Sequence, residues 1–240
     1  MSRQRSKKSA SKFRLAVMNA LNLENQSNTR TNLDLAVLRY YASLSSKNFD
    51  LVLCATVSSE AAGKAALDAG WTPVYASNEN VGAKRNAGLD YCLENADAVV
   101  RIGSDDVASL SLLEFVVDRF KRQVESYIEL YGFAFLDVTS QRLALFRQKQ
   151  YAFAFLAEPI RGEKLYNEDG STIDAGLDIR LRSLCGTWSS LKYDESRPFI
   201  ACKCGDEINS FDKMMDTEYR LAEWLDSEQV LSEFFPTLKF

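Results

Sequence analysis

The run Ala98-Val99-Val100-Arg101-Ile102 is an apolar strand that opens directly onto Gly103-Ser104-Asp105-Asp106. Two adjacent carboxylates at the C-terminal tip of a buried strand are costly unless a cation sits beside them. A divalent ion held by hard oxygen ligands meets that need most simply. In an open α/β sheet the same edge is where ligands bind. Just upstream, Asn80-Val81-Gly82-Ala83-Lys84-Arg85-Asn86-Ala87-Gly88 is a glycine-punctuated turn that opens a helix and carries two cations. Such a turn suits an anion, for example a diphosphate.

The segments around it alternate in period. Phe13–Leu21, Asp50–Val57, Pro73–Ser77 and Val99–Ile102 read as strands, and helices are predicted over Leu33–Ser45, Glu60–Ala69 and Gly82–Glu94. This alternation predicts a mainly parallel sheet covered on both faces. Leu110–Val124 is an amphipathic helix. Beyond it the pattern changes to aromatic-rich strand-like runs, Tyr127–Asp137, Arg142–Arg147 and Tyr151–Leu156, which suggest antiparallel additions to the sheet. Gly162–Ala175 is polar and turn-rich, as expected of a loop lining a site or of a lid. Leu177–Leu184 starts another helix, and Phe211–Phe235 is predicted to be an acidic amphipathic helix stopped by Pro236.

A chain of 240 residues can bury one substantial core, so one domain is expected. The chain has no histidine, which excludes Ser-His-Asp and Cys-His catalysis and histidine-ligated metals. A general base must then be a carboxylate, with Lys, Tyr or Cys behind it. Five cysteines in a chain of this length do not form a disulfide framework, and a reduced, cytoplasmic setting is expected. No apolar run reaches the roughly 18 residues of a membrane span. Net charge is −4, but Arg3, Arg5, Lys7, Lys8, Lys12 and Arg14 crowd the start. Met1–Ser11 reads as a disordered basic arm, most simply a solvated tail and alternatively a contact with the phosphates of a nucleic acid or an anionic membrane.

The ordered pair of motifs, Asn80-x-Gly82-x-x-Arg85-Asn86-x-Gly88 followed by an apolar strand and Ser104-Asp105-Asp106, resembles family 2 glycosyltransferases of GT-A fold. The resemblance implies a single α/β, Rossmann-like GT-A domain over residues 12–240. Its mostly parallel central sheet would be flanked by helices, with antiparallel additions in the second half. Residues 12–109 would form the nucleotide-sugar half, 110–208 the acceptor half and 209–240 a C-terminal helix. It further implies an inverting transfer from a nucleotide-sugar donor, UDP-linked by preference, to an acceptor hydroxyl, assisted by Mn²⁺ or Mg²⁺. Asp106 would be the main metal ligand, with Asp105 on the metal shell or the ribose. Asn22, Asn80, Gly82, Arg85 and Asn86 would contact the donor.

A third motif of the family, which carries its catalytic base, matches Asp174, Leu177, Arg180 and Leu181. Asp174 is therefore the preferred base, with Asp169 and Asp178 as competitors. The chain departs from the family pattern at Gly103, Ile173 and Gly176, where acids are usual. It also departs at Ala55-Thr56-Val57-Ser58, where an acid would read the nucleobase. Two other functions fit the same residues: a phage-type glycosyltransferase acting on hydroxymethylated bases of DNA, and a non-catalytic binding protein of the same fold. A nucleotidyltransferase fits less well, because Asn19–Asn28 contains no glycine. Each motif also has a plainer role: the Asp pair as a surface turn or helix cap, the glycines as turn formers, Asp174 as an N-cap and the aromatic runs as core. Cys202-x-Cys204 with Cys185 lacks the fourth ligand of a thiolate metal site.

Overall fold

The computed structural model describes residues 12–23, 27–169, 174–204 and 222–240. The basic arm lies outside these. β1 (Phe13–Ala20) is the pivot of the sheet. It pairs in parallel with β2 (Phe49–Val57) on one side and β4 (Ala98–Arg101) on the other, and β2 pairs in parallel with β3 (Thr72–Tyr75). Because β1 is buried on both faces, it reads as a continuous apolar run. Leu15 and Val17 share a core with Val37 and Tyr41 of α1 (Asn28–Ser43), whereas Ala16 and Met18 share one with Leu89 and Cys92 of α3 (Val81–Asn95). Each covering helix is started by a polar residue placed immediately after a strand or loop. Ser27 caps α1, Ser59 caps α2 (Glu60–Asp68), Asn80 caps α3 and Ser109 caps α4 (Leu110–Lys121). In each case the side-chain oxygen accepts a hydrogen bond from a first-turn amide, which supplies one of the partners a helix start lacks.

The second half adds antiparallel pairing, as expected. β4 pairs antiparallel with β7 (Arg142–Leu156), and β7 with β6 (Tyr127–Asp137). The two runs Arg142–Arg147 and Tyr151–Leu156 are one continuous strand, in which Arg147, Gln148 and Lys149 bulge between the Phe133–Phe146 and Tyr131–Gln150 pairs of the ladder to β6. The register of that ladder shifts at Gly132, whose φ of +90° is open to glycine at little cost. Three further strands extend the sheet beyond β6. β8 (Trp188–Lys192) and β9 (Phe199–Lys203) both run parallel to β6, and β9 pairs antiparallel with the short β5 (Asp106–Ala108). α5 (Leu177–Cys185) lies where the sequence predicts it. No helix among the described residues is long and apolar enough to cross a membrane.

Two boundaries differ from the sequence reading. α1 begins at Asn28 rather than Leu33, because Ser27 provides the cap and the polar first turn faces the candidate site. The helix expected over Phe211–Phe235 is also corrected in part. Residues 205–221 lie outside the described ones; among the described residues of this stretch, Ala222–Leu225 forms strand β10 and Ser227–Phe234 is helical (α6). β10 pairs with β7 from Leu143 to Phe146, a stretch of edge that β4 does not reach. Covering an open edge is a strong reason for a nearby segment to become a strand.

Gly88 allows α3 to lie close on the sheet. A Cβ there would stand 2.4 Å from Thr56 Cγ2 and 3.4 Å from the Met18 side chain. Gly88→Val should therefore cost about 1–3 kcal/mol of stability through overpacking. Chemical denaturation of the variant measures this, and an unchanged midpoint would mean that α3 can retreat freely.

Candidate active site

The C-terminal ends of β1 and β4 meet at the point where the strand order reverses, and the chemistry-bearing side chains gather there. The link from β4 to β5 places Asp105 and Asp106 almost wholly out of solvent. Asp105 Oδ2 accepts from Lys203 Nζ at 2.5 Å and from Arg30 Nη1 at 3.2 Å. The same arginine donates to Ser104 Oγ, and its Nε lies 3.0 Å from the fully buried Asp34. Asp106 Oδ2 accepts from Tyr151 Oη at 2.8 Å and from the Gly103 amide at 2.7 Å. Burial works against the charged form of Asp105, but the Lys203 and Arg30 cations and the Lys203 hydrogen bond outweigh it and hold its carboxyl below the usual carboxylate range. Burial and then the neighbouring Asp105 charge push Asp106 the other way, upward.

Gly103 stands where the resembled family carries an acid, and the geometry gives a reason. A Cβ at residue 103 would lie 2.6 Å from Asp106 Oδ2 and 2.8 Å from Asp105 Oδ1. The two carboxylates fold back over the glycine, so a third acid has no room. The expectation of a divalent ion at Asp106 and Asp105 rested on their need for a nearby cation. Here Lys203 and Arg30 supply that need. One oxygen of each carboxylate is already committed, and an ammonium and a guanidinium would repel a dication at the same place. Mg²⁺ demands near-ideal octahedral oxygen ligation. Among the described residues no group of three or more Asp, Glu or Cys side chains gathers as a metal site, and Cys185, Cys202 and Cys204 are buried and form no disulfide. The donor set does not fit a resident divalent ion.

A second cluster adjoins the first through Tyr151. The Arg101 guanidinium lies 5.1 Å from the centre of the Tyr151 ring, whose hydroxyl holds Asp106. Arg101 and Arg85 grip Asp174 from both sides, at 2.5 Å to Oδ2 and 2.8 Å to Oδ1. Arg101, Tyr151, Asp174, Asp178, Glu129 and Gln150 line a cavity of about 380 Å³. Asp178 has one distant partner, Arg182 at 3.8 Å, and Glu129 is held by Arg182 at 2.7 Å. Asp169 does not line this cavity.

The other expected donor contacts divide. Arg85 reaches the cluster, but Asn86 is fully buried: its amide nitrogen donates to Tyr166 O and Glu168 Oε1, and its oxygen accepts from the Tyr166 amide. Asn80 caps α3 and donates to Glu168 O at 2.7 Å. Gly82 is a point of close backbone approach, with Asn167 O only 1.8 Å from where a Cβ would stand. Lys84 is buried and ties Leu21 O to Asn78 Oδ1, while Asn22 accepts from Asn78 at 3.4 Å. Arg180 binds back onto Asn167 and Ala175 O. Most of the turn motif therefore docks the 164–169 segment onto α3.

Sequence reasoning missed Arg30, Lys203, Arg101 and the polar role of Tyr151. Arg101 had a visible signal, a charged residue closing an apolar strand, and Lys203 a weaker one, a lysine flanked by buried cysteines.

No protein-family profile and no curated protein sequence matches the chain. Solved structures do match its shape. Residues 1–349 of Staphylococcus aureus TarS, solved in complex with UDP-GlcNAc, superpose with a TM-score of 0.57 at 11% identity, covering 95% of this chain and 72% of that one. The chain has a GT-A fold. The longer TarS structure gives 0.57 at 13% identity, covering 94% of this chain and 43% of that one, so the chain spans under half of its length. Another TarS 1–349 structure is covered over 60% of its length. Mycobacterium tuberculosis glucosyl-3-phosphoglycerate synthase gives 0.51 at 13% identity, covering 95% and 81%.

The Asp105 cluster has a pH signature. A folded value held below the unfolded one contributes stability above the unfolded carboxylate range, near about 3.9, and loses it as pH falls through the folded value. Asp105→Asn should cost about 3–5 kcal/mol near neutrality, because Lys203 and Arg30 lose a buried partner. The deficit should shrink as pH drops below the ordinary carboxylate range. Urea unfolding of both proteins across pH measures this, and a deficit independent of pH would place the cost in packing rather than charge.

Proposed function

We propose that the chain transfers a sugar from a nucleotide-sugar donor to an acceptor hydroxyl. The observation that carries the reading is the anion-ready pair Arg85 and Arg101, set at the switch point of a GT-A sheet and spanned by a single exposed carboxylate, Asp174. An anion already bridges these two guanidinium groups, so the position is built for one. The donor diphosphate takes that place by planar, charge-assisted hydrogen bonding. Asp174 is then released toward the cavity, where it accepts the acceptor proton as that oxygen bonds to the anomeric carbon and the diphosphate departs with its electron pair. Opposite-face attack of this kind inverts the anomeric centre. Asp178 lines the same cavity and is the competing base. The support for a UDP-linked donor is that the TarS structures of this fold were solved with UDP-GlcNAc and with UDP. No step here passes through a divalent ion. Asn80, Gly82 and Asn86 act as positioning residues that fix the 164–169 segment, and Asn22 accepts a hydrogen bond from Asn78.

A panel of nucleotide sugars tests this by thermal stabilisation and by release of free nucleoside diphosphate. One donor should raise the melting temperature, and Arg101→Leu should remove the rise. Asp174→Asn should lower kcat by about 10²–10⁴ while donor affinity holds or improves, since the arginines lose their competitor. If Asp178→Asn is the variant with intact binding and lost turnover, the base is Asp178. If no nucleotide sugar stabilises the protein, the donor reading fails.

A further inference from the structure

Building on the proposed transfer reaction, we infer that Lys203 serves as a built-in cation for the donor diphosphate, so that donor binding needs no divalent metal. Three observations converge. Lys203 is the last residue of β9, and the ladder to β5 fixes it beside the Asp pair: Ala201 pairs with Asp106, and the Cys202 amide donates to Asp105 O at 2.8 Å. Parallel pairing with β6 holds it from the other side, at Asp137. The ammonium cannot drift as a surface lysine does. It is also a donor with capacity to spare. An ammonium has three N–H groups, and among the described residues Lys203 makes one hydrogen bond, to Asp105, while its side chain keeps 12% exposure. Finally, the remaining cation of the cluster is fully occupied, with Arg30 spread over Asp105, Ser104 and Asp34. Arg30 is thus a positioning residue that keeps Asp105 charged, and Asp105 in turn keeps Lys203 charged and aimed.

The chemistry balances without a metal. The glycosidic carbon–oxygen bond breaks toward the diphosphate, whose terminal oxygen gains the electron pair. The acceptor oxygen bonds to the sugar carbon and its proton passes to the carboxylate base. The charge that grows on the diphosphate meets the N–H donors of Lys203, Arg85 and Arg101. Fixed donors of this kind stabilise developing charge without reorganising.

The test is binding of nucleoside diphosphates (UDP, GDP, CDP and dTDP) by calorimetry, with the full chain in chelator and again with Mn²⁺. The diphosphate that binds should do so with affinities equal to within about a factor of two in the two conditions. Lys203→Met should weaken that binding by about tenfold to a hundredfold, and Lys203→Arg should restore part of it. Binding that vanishes in chelator and returns with Mn²⁺ overturns the inference and leaves the transfer reading standing. Wild-type affinity in a folded Lys203→Met protein also overturns it. Absence of binding in both conditions overturns the transfer reading itself. If Lys203→Met does not fold, the wild-type comparison between chelator and Mn²⁺ still decides.

Discussion

The buried charge on Asp105 is the constraint around which the rest of the structure is arranged. An ionised carboxylate removed from water costs several kcal/mol unless cations and hydrogen bonds replace its hydration. The replacements come from distant parts of the chain: Arg30 from the first turn of α1 and Lys203 from the end of β9. Each then imposes a requirement of its own. Arg30 needs a fixed backbone, which Ser27 provides by starting the helix early. Lys203 needs a strand at a defined register, which is why β9 lies between β6 and β5 instead of extending the parallel half of the sheet. Tyr40 and Tyr41 close the arrangement from behind: their hydroxyls bond Ala108, and Tyr41 also reaches Asp106 O, tying α1 to β5. The late, antiparallel part of the fold thus completes a charge cluster whose acids sit in the early part.

The turn at Asn80–Gly88 carries a related lesson. By sequence it resembles a donor-binding motif, and its spacing does bring Arg85 to the site. Its other members face a different task. Gly82 has no Cβ because Asn167 O occupies the space, Asn86 spends its amide on Tyr166 and Glu168, and Gly88 lets the helix meet Thr56. A buried amide with each of its groups satisfied is a strong local clamp, since leaving any of them unpaired would cost the desolvation penalty in full. The motif therefore joins α3 to the 164–169 segment. The same short pattern also places Arg85 within reach of Asp174.

Much of the parallel half was legible because its signals are local. Apolar strands, serine and asparagine caps and a helical period each lie within a few residues, and β1, β2, β4, α2, α3 and α4 emerge from them. The second half was harder for identifiable reasons. Gln148, Lys149 and Gln150 look like a turn, yet they form a bulge inside β7, and pairing to β6 resumes at Gln150. Trp188–Lys192 and Ala222–Leu225 are short, half-exposed strands whose identity comes from the edge they cover rather than from their composition. In the site, Asp105 and Asp106 were visible as an expensive pair in need of a cation. The identity of that cation was not, because Arg30 and Lys203 are 75 and 98 residues away in sequence from Asp105 and no local rule links them.

The two clusters differ in how readily they can yield. In the two joined ion-pair clusters the acids Asp34, Asp105, Asp106 and Asp174 face Arg30, Arg85, Arg101 and Lys203, so these cations already have anionic partners before any ligand arrives. An incoming diphosphate must compete with one of the acids for its cations. Asp105 is enclosed, and freeing it would strand buried charges on both sides. Asp174 is 41% exposed on a turn, so water can replace the hydration it needs once another anion takes its place on the arginines. In the proposed reaction the diphosphate therefore displaces Asp174. Tyr151 keeps this exchange from spreading, since its ring supports Arg101 while its hydroxyl pins Asp106. In that reaction, donor binding and the release of a carboxylate toward the cavity become one event, driven by the competition of two anions for the same pair of arginines.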